Sequence, residues 1–352
     1  MRIYRNLALK PSVLLKPSIL LQLSVLALAS GVSAARANDS IAELATGGLD
    51  LTKSADIEMR SEDLYVSTRE IRVTYHFFNT GPQDKTVTVA FPMPDITVKG
   101  PDDNISVPTE NPENFLDFST WADGRPVITH VEQKVFAKGV DRTQELRKLG
   151  VPLQPALKAT NDALDQVSHA QWGELSFMGL TDTEEFDDGS GVLIHLRPRW
   201  TLKTTYYFEQ SFPAGREVVI EHRYKPSVGY SAGTALGSRQ AAKESWYKEY
   251  QRKYCMDASF FGAIERAKQV AKSDFPPLEE QRLAYILTTG GNWAGPIRSF
   301  RLVVDKGDPQ NLVSLCGDRV KKIAPTQFEI RKSDYVPTRD LDVLILTEHP
   351  QQ

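Results

Sequence analysis

The chain has 352 residues, with 42 Lys and Arg against 45 Asp and Glu, and 41 % hydrophobic side chains. This is an ordinary globular composition, long enough for two domains that each bury a core. A formal charge of −3 excludes the bulk electrostatic attraction behind most binding to nucleic acid or anionic lipid.

The first 37 residues stand apart. Arg2, Arg5, Lys10 and Lys16 form a basic leader, residues 19–29 (ILLQLSVLALA) are a short apolar run, and Ala35-Arg36-Ala37 supplies an A-x-A cleavage site. The pattern predicts a Sec-type signal peptide, residues 1–37, because the apolar run falls well short of the ~20 residues of a membrane span. No cysteine follows the run, which argues against a lipoprotein. Cleavage after Ala37 leaves 37 basic and 45 acidic residues, a charge of −8 on an exported chain that starts at Asn38. The expectation is a periplasmic or extracellular protein without a transmembrane segment after cleavage.

Residues 38–53 read as a lead-in to residues 56–96, the best-patterned stretch. Strands are predicted over 56–60, 63–67, 70–79 and 85–91. Ile71, Val73, Tyr75 and Phe77 alternate with Arg72, Thr74 and His76, the period of a half-buried strand. Asn79-Thr80-Gly81-Pro82 carries turn chemistry, Val87, Val89 and Phe91 resume the alternation, and Pro92 and Pro94 stop it, so the stretch reads as a β-meander. Residues 101–112 read as a loop and 126–136 as a strand. The period then becomes helical. Asp141 is placed to cap a helix that ends near Leu149, and residues 154–178 carry an apolar stripe of Leu157, Leu164, Val167, Trp172 and Leu175. Residues 181–191 (TDTEEFDDGSG) are acidic and read as a solvated loop, since the ligand spacing of a calcium-binding loop is missing.

A second hairpin pattern follows. Trp200, Leu202, Tyr206 and Phe208 share one face, Pro213-Ala214-Gly215 turns, and Val218, Ile220, His222 and Tyr224 return. Tyr75, Phe77, Val87 and Val89 lie 131 residues before Tyr206, Phe208, Val218 and Ile220, an offset that hints at two units of related design. Helices are predicted over 239–256 and 257–272. Alternating runs around Leu283, Leu302, Ile330 and Val343 then predict strands. The fold class expected is α+β, mainly β, with antiparallel sandwich-like units and inserted helices. The organisation expected is an N-terminal β-rich unit over 38–137, a helical insert with an acidic loop over 138–191, and a second β-rich unit with helices over 192–352.

Cys255 and Cys316 are the only cysteines, and in an oxidising compartment two thiols of one domain pair. Trp121 and Trp293 sit in STWADG and GGNWAG. Such aromatics either contact a ligand or partner or plug the end of a sandwich. Residues 290–295 are glycine rich but lack the Lys-Ser/Thr of a phosphate loop. No catalytic motif, metal-spaced histidine pair or cofactor fingerprint is recognisable in the sequence.

The segments NDSIAELATGGL, DIEMRSEDLYVS, VTVAFPMPDI, FPAGREVVIEHRYKPSVG, WAGPIRSFRLVVDKG and VSLCGDRVKKIAPTQFE together resemble the secreted bacterial family catalogued as domain of unknown function 4424. That resemblance implies an exported protein and carries over no catalytic residue. Phe91-Pro92-Met93-Pro94 is also similar to the F-P-L-P signature of vault/inter-α-trypsin domains, which are β-rich interaction modules. These features together predict a non-catalytic protein that binds or scaffolds a protein or glycan of the cell envelope. The competing readings are a glycan-directed envelope hydrolase and a structural envelope protein.

Overall fold

Alternation along the strands decides the layers. In Ile71–Asn79, the residues Ile71, Val73, Tyr75 and Phe77 are buried while Arg72, Thr74 and His76 face outward. The computed structural model describes residues 38–45, 48–98, 104–187, 189 and 191–348, so the predicted signal peptide, Asp188 and His349 lie outside the described residues. The fold is mainly β, with sheets of almost entirely antiparallel strands and a few helices. A seven-stranded sheet holds Lys85–Pro92 beside Thr201–Phe212, and an eight-stranded sheet holds Ile71–Asn79 beside Glu217–Tyr224. Their inner faces meet in one apolar core around Tyr75, Phe77, Phe91, Trp200, Phe208 and Phe212. A five-stranded sheet adds Leu278–Tyr285 and Leu341–Glu348, which also support a second cluster beneath the helices Ser245–Tyr254 and Ala258–Ala271.

The meander takes a different form from the one its pattern suggests. Ile71–Asn79 and Lys85–Pro92 do not pair with each other; each joins a different sheet. Both strands carry one apolar face, and stacking two sheets buries both faces at once. Asn79 holds the crossing. Its Nδ2 donates to the carbonyls of Gln83 and Phe212, both at 2.8 Å, and its Oδ1 accepts from the Gly81 amide at 2.9 Å. Thr201–Phe212 and Glu217–Tyr224 make the same crossing in the opposite order. The equal offset in the sequence therefore appears as two arches lying strand against strand, with Tyr75 opposite Ile220, Phe77 opposite Val218 and Val89 opposite Phe208. Segments 38–137 and 192–352 thus contribute neighbouring strands to the same sheets.

Residues 56–60 and 63–67, read as two strands, form one strand, Ile57–Val66, with a bulge between Met59 and Ser61. A bulge inserts one residue and reverses the facing of everything beyond it. Ile57 and Met59 point inward before the bulge, and Glu62, Leu64 and Val66 point inward after it. The bulge is therefore what brings a glutamate into the core.

The acidic stretch is a second correction. Thr181–Asp187 is a strand paired with Val192–Pro198 rather than a solvated loop, and its carboxylates meet cross-strand arginines. Arg197 bridges Glu184 at 2.5 Å and Arg199 bridges Asp182 at 3.1 Å. The helical insert holds Thr143–Lys148, Lys158–Asp165 and His169–Met178, and Asp141 accepts from the Thr143 amide at the head of the first. Asp257 caps Ala258–Ala271 by accepting from the Phe260 amide at 2.8 Å. Cys255 and Cys316 are disulfide-bonded with Cα atoms 5.0 Å apart, tying the end of Ser245–Tyr254 to the end of Leu312–Leu315.

Candidate functional site

The most promising concave site is a cleft of about 330 Å³ between the edge of the seven-stranded sheet and the five-stranded sheet. Its apolar wall includes Met93, Ile96, Phe115, Leu116 and Leu283, supplied by the chain just past Pro92, by the loop before Ser119–Ala122 and by Leu278–Tyr285. The end of the Ser245–Tyr254 helix places Lys253 on the rim and the buried Tyr254 behind the lining. Three contacts hold that helix end. They are the disulfide, the Ser314 hydroxyl donating to the Tyr254 carbonyl at 2.9 Å, and Arg339 donating to the Lys253 carbonyl at 2.9 Å. The crosslink thus fixes one wall of the cleft.

Charges in the cleft are few and paired. Lys253 lies 3.3 Å from Asp342, Asp95 accepts from Lys203 at 2.8 Å, and Arg282 bridges Glu280 at 2.9 Å. Burial raises the Asp342 carboxyl above its usual range, against the lowering effect of Lys253. Arg282 also donates to Ser231 Oγ and the Tyr230 carbonyl, and it crosses the strand at Gly229, where a Cβ would sit 3.2 Å from its Nε. Among the described residues, two hydroxyls of the lining lack partners. Tyr224 Oη and Ser227 Oγ are buried in the lining with no hydrogen bond. Burial pushes the Tyr224 phenol well up, so it stays a neutral donor and acceptor at any physiological pH. An apolar wall with a few convergent polar groups suits an organic ligand that carries its own hydrogen-bonding groups.

The two tryptophans separate. Trp121 is partly exposed on Ser119–Ala122, on the outer face of the eight-stranded sheet, where it lines a broad polar groove with Arg72, Arg223, Arg301 and Arg331. Those arginines are already engaged. Arg72 and Arg223 meet Glu70 at 3.1 and 3.3 Å, while Arg301 and Arg331 meet Glu329 at 2.8 and 2.9 Å. Trp293 is 3 % exposed, packs on Phe77 with ring centroids 4.4 Å apart, and donates from Nε1 to the Asp39 carbonyl. It plugs the sandwich.

A third grouping resembles catalytic machinery. His222 Nδ1 lies 2.9 Å from Thr120 Oγ1 and its Nε2 lies 3.0 Å from Asp39 Oδ1, giving a hydroxyl, an imidazole and a carboxylate in a row. All three side chains are buried, at 2 %, 1 % and 0 % exposure, so a substrate has no approach to them. Their positions in the chain, 39, 120 and 222, gave the sequence no local signal. Lys253, Arg282 and Asp342 were equally silent, because they converge only through sheet pairing and the disulfide.

A sandwich core flanked by a third sheet, with a mixed-polarity cleft where they adjoin, defines a mainly β protein with a ligand-sized depression. The chain belongs to the family described as domain of unknown function (DUF4424), whose model matches residues 37–344. No curated protein matches it. Among solved structures it is similar to a "putative nutrient binding protein" of Legionella pneumophila, at 13 % identity and a TM-score of 0.41, over 88 % of this chain and 70 % of that one. Among the described residues, no helix is long and apolar enough to cross a membrane.

Proposed function

We propose that this is an exported, non-catalytic binding protein of the cell envelope, and that the cleft between Met93 and Asp342 takes its ligand. The observation that carries the reading is the pair of unpartnered hydroxyls, Tyr224 Oη and Ser227 Oγ, buried in the cleft lining. A buried polar group without a partner costs about 1–3 kcal/mol, and a ligand that pairs with it recovers that cost. Tyr224 and Ser227 offer hydroxyls in the lining, and Lys253 offers a charge at the rim. An envelope glycan fragment fits this chemistry. The basic leader, the apolar run and the A-x-A site support export, and the acidic exported chain suits a solvated compartment.

The test is a thermal-shift and calorimetric screen of the exported protein against peptidoglycan and envelope-polysaccharide fragments, repeated with Tyr224→Phe and Lys253→Ala. Binding that weakens about five-fold or more in Tyr224→Phe supports the cleft, since one neutral hydrogen bond contributes about 1 kcal/mol. Binding that is equal in both variants and the parent places the ligand elsewhere. A second reading, a glycan-directed hydrolase, is favoured by one observation, the raised carboxyl of Asp342 beside Lys253. Product release in the same screen, lost in Asp342→Asn, would select it.

A further inference from the structure

The interior holds an acidic site that the cleft does not use. Asn38 and Asp39 run between the two large sheets with no exposed surface. Asn38 Nδ2 donates to Glu62 Oε2 at 3.0 Å, and its Oδ1 accepts from the Tyr75 hydroxyl, which lies 2.8 Å from that of Tyr285. Thr289 Oγ1 and Trp293 Nε1 donate to the carbonyls of Asn38 and Asp39, both at 2.5 Å. Gly290 is needed for the approach, because a Cβ there would sit 2.7 Å from Asn38 Nδ2. Among the described residues, two acceptors of this site remain without partners: Glu62 Oε1 and Asp39 Oδ2.

The groups that face these carboxyls are Tyr75, Tyr285 and His222, with Tyr335 farther out, and of these His222 alone can carry a positive charge. One imidazole cannot neutralise two carboxylates. Isolated buried charges are among the costliest features a core can hold, so Glu62 stays protonated at neutral pH unless a second cation is supplied beside it. The predicted cleavage after Ala37 creates one at this spot, and the family match begins at residue 37. Before cleavage, the Asn38 nitrogen is a neutral amide with one N–H. After cleavage it is an ammonium with three donors, one asparagine side chain away from the Nδ2 that already touches Glu62.

We propose that the α-ammonium of Asn38, released by cleavage after Ala37, is the cation of this buried site and pairs with Glu62 and Asp39, so that processing completes the core. The proposal rests on the export reading above. It reverses the pH behaviour of the core. Without the ammonium, burial and the nearby Asp39 outweigh the Asn38 hydrogen bond and hold Glu62 up at about 8. A folded-state pKa above the unfolded value means that stability is present at low pH and drains away as the pH rises from about 4.5 through about 8. With the ammonium beside it, the carboxyl is favoured in its ionised form and that loss disappears.

The experiment compares the protein exported behind its own leader with the same chain exported behind a leader that leaves Gly-Ser ahead of Asn38. N-terminal sequencing of the first must read Asn-Asp-Ser; a different start, or retention of the leader, overturns the export reading rather than the pairing. Native labelling at neutral pH with an amine-directed reagent must leave the Asn38 amine protected while the extended chain labels freely. Glu62→Gln must lower the melting temperature of the processed chain by roughly 5–10 °C and raise that of the extended chain at pH 8, a reversal of sign that simple packing does not produce. Free labelling of Asn38, or shifts of one sign in both chains, would overturn the pairing.

Discussion

Replacing Trp293 with alanine tests whether this aromatic is core or contact surface. The indole is 3 % exposed and lies against Phe77 and Phe212, with ring centroids 4.4 and 6.1 Å away. Truncating a buried tryptophan to alanine costs about 3–5 kcal/mol in transfer and cavity terms. The lost donor leaves the buried Asp39 carbonyl short of a bond, which adds about 1 kcal/mol. The expected loss is therefore about 4–6 kcal/mol, a large share of the 5–15 kcal/mol that typical proteins possess. Guanidinium unfolding of the oxidised protein, followed by circular dichroism, measures it. Trp293→Phe keeps much of the packing but not the indole bond, so it should lose about half as much. Trp121→Ala, on the outer groove, should cost less than ~1 kcal/mol, as surface substitutions do. A loss below ~1 kcal/mol for Trp293→Ala would refute the plug and return Trp293 to the ligand-contact candidates.

Three further outcomes follow from the structure. Cys255 and Cys316 are 61 residues apart in sequence, so their replacement by serine should cost about 4 kcal/mol by the loop-entropy estimate, read from the urea midpoint, and non-reducing peptide mapping should recover the linked pair. Arg331 and Arg301 hydrogen-bond to Glu329 and hold its carboxyl down at about 2. Its stabilisation is present above the unfolded carboxylate range and is lost as pH falls toward about 2, so Glu329→Gln should lower stability at neutral pH, change it little near pH 2, and thereby flatten the acid limb of the stability profile. Gly290→Ala should destabilise by about 1–3 kcal/mol, because the new methyl meets Asn38 Nδ2 at 2.7 Å; unchanged calorimetric stability would contradict that approach.

Residue-level patterning made much of the architecture legible. The period-2 runs through Val73, Phe208, Ile220, Leu302 and Val343 identified strands, and Asp141 announced a helix start, because each is a local consequence of backbone geometry. The same patterns were silent about partners. A strand that alternates cleanly looks the same whether its neighbour is the next strand or one 140 residues away, which is why the meander turned out to be an arch. The acidic run 181–187 misled for a related reason: two of its carboxylates, Asp182 and Glu184, meet Arg199 and Arg197 across the hairpin.

By itself the sequence determined the mainly β class, the positions of the helices and of the long strands at the centre of the sandwich, and the family likeness that the match over 37–344 establishes. Tertiary structure alone decided where chemistry can occur. The cleft gathers Tyr224, Lys253, Arg282 and Asp342 from strands and a helix end that only sheet order and the disulfide bring together. The inward turn of Glu62 depends on a one-residue bulge, invisible in composition, that reverses the facing of its strand. Hydrophobic periodicity is written along the chain, whereas the meeting of distant polar groups is set by packing, and in this protein the second places both the cleft and the buried acidic site.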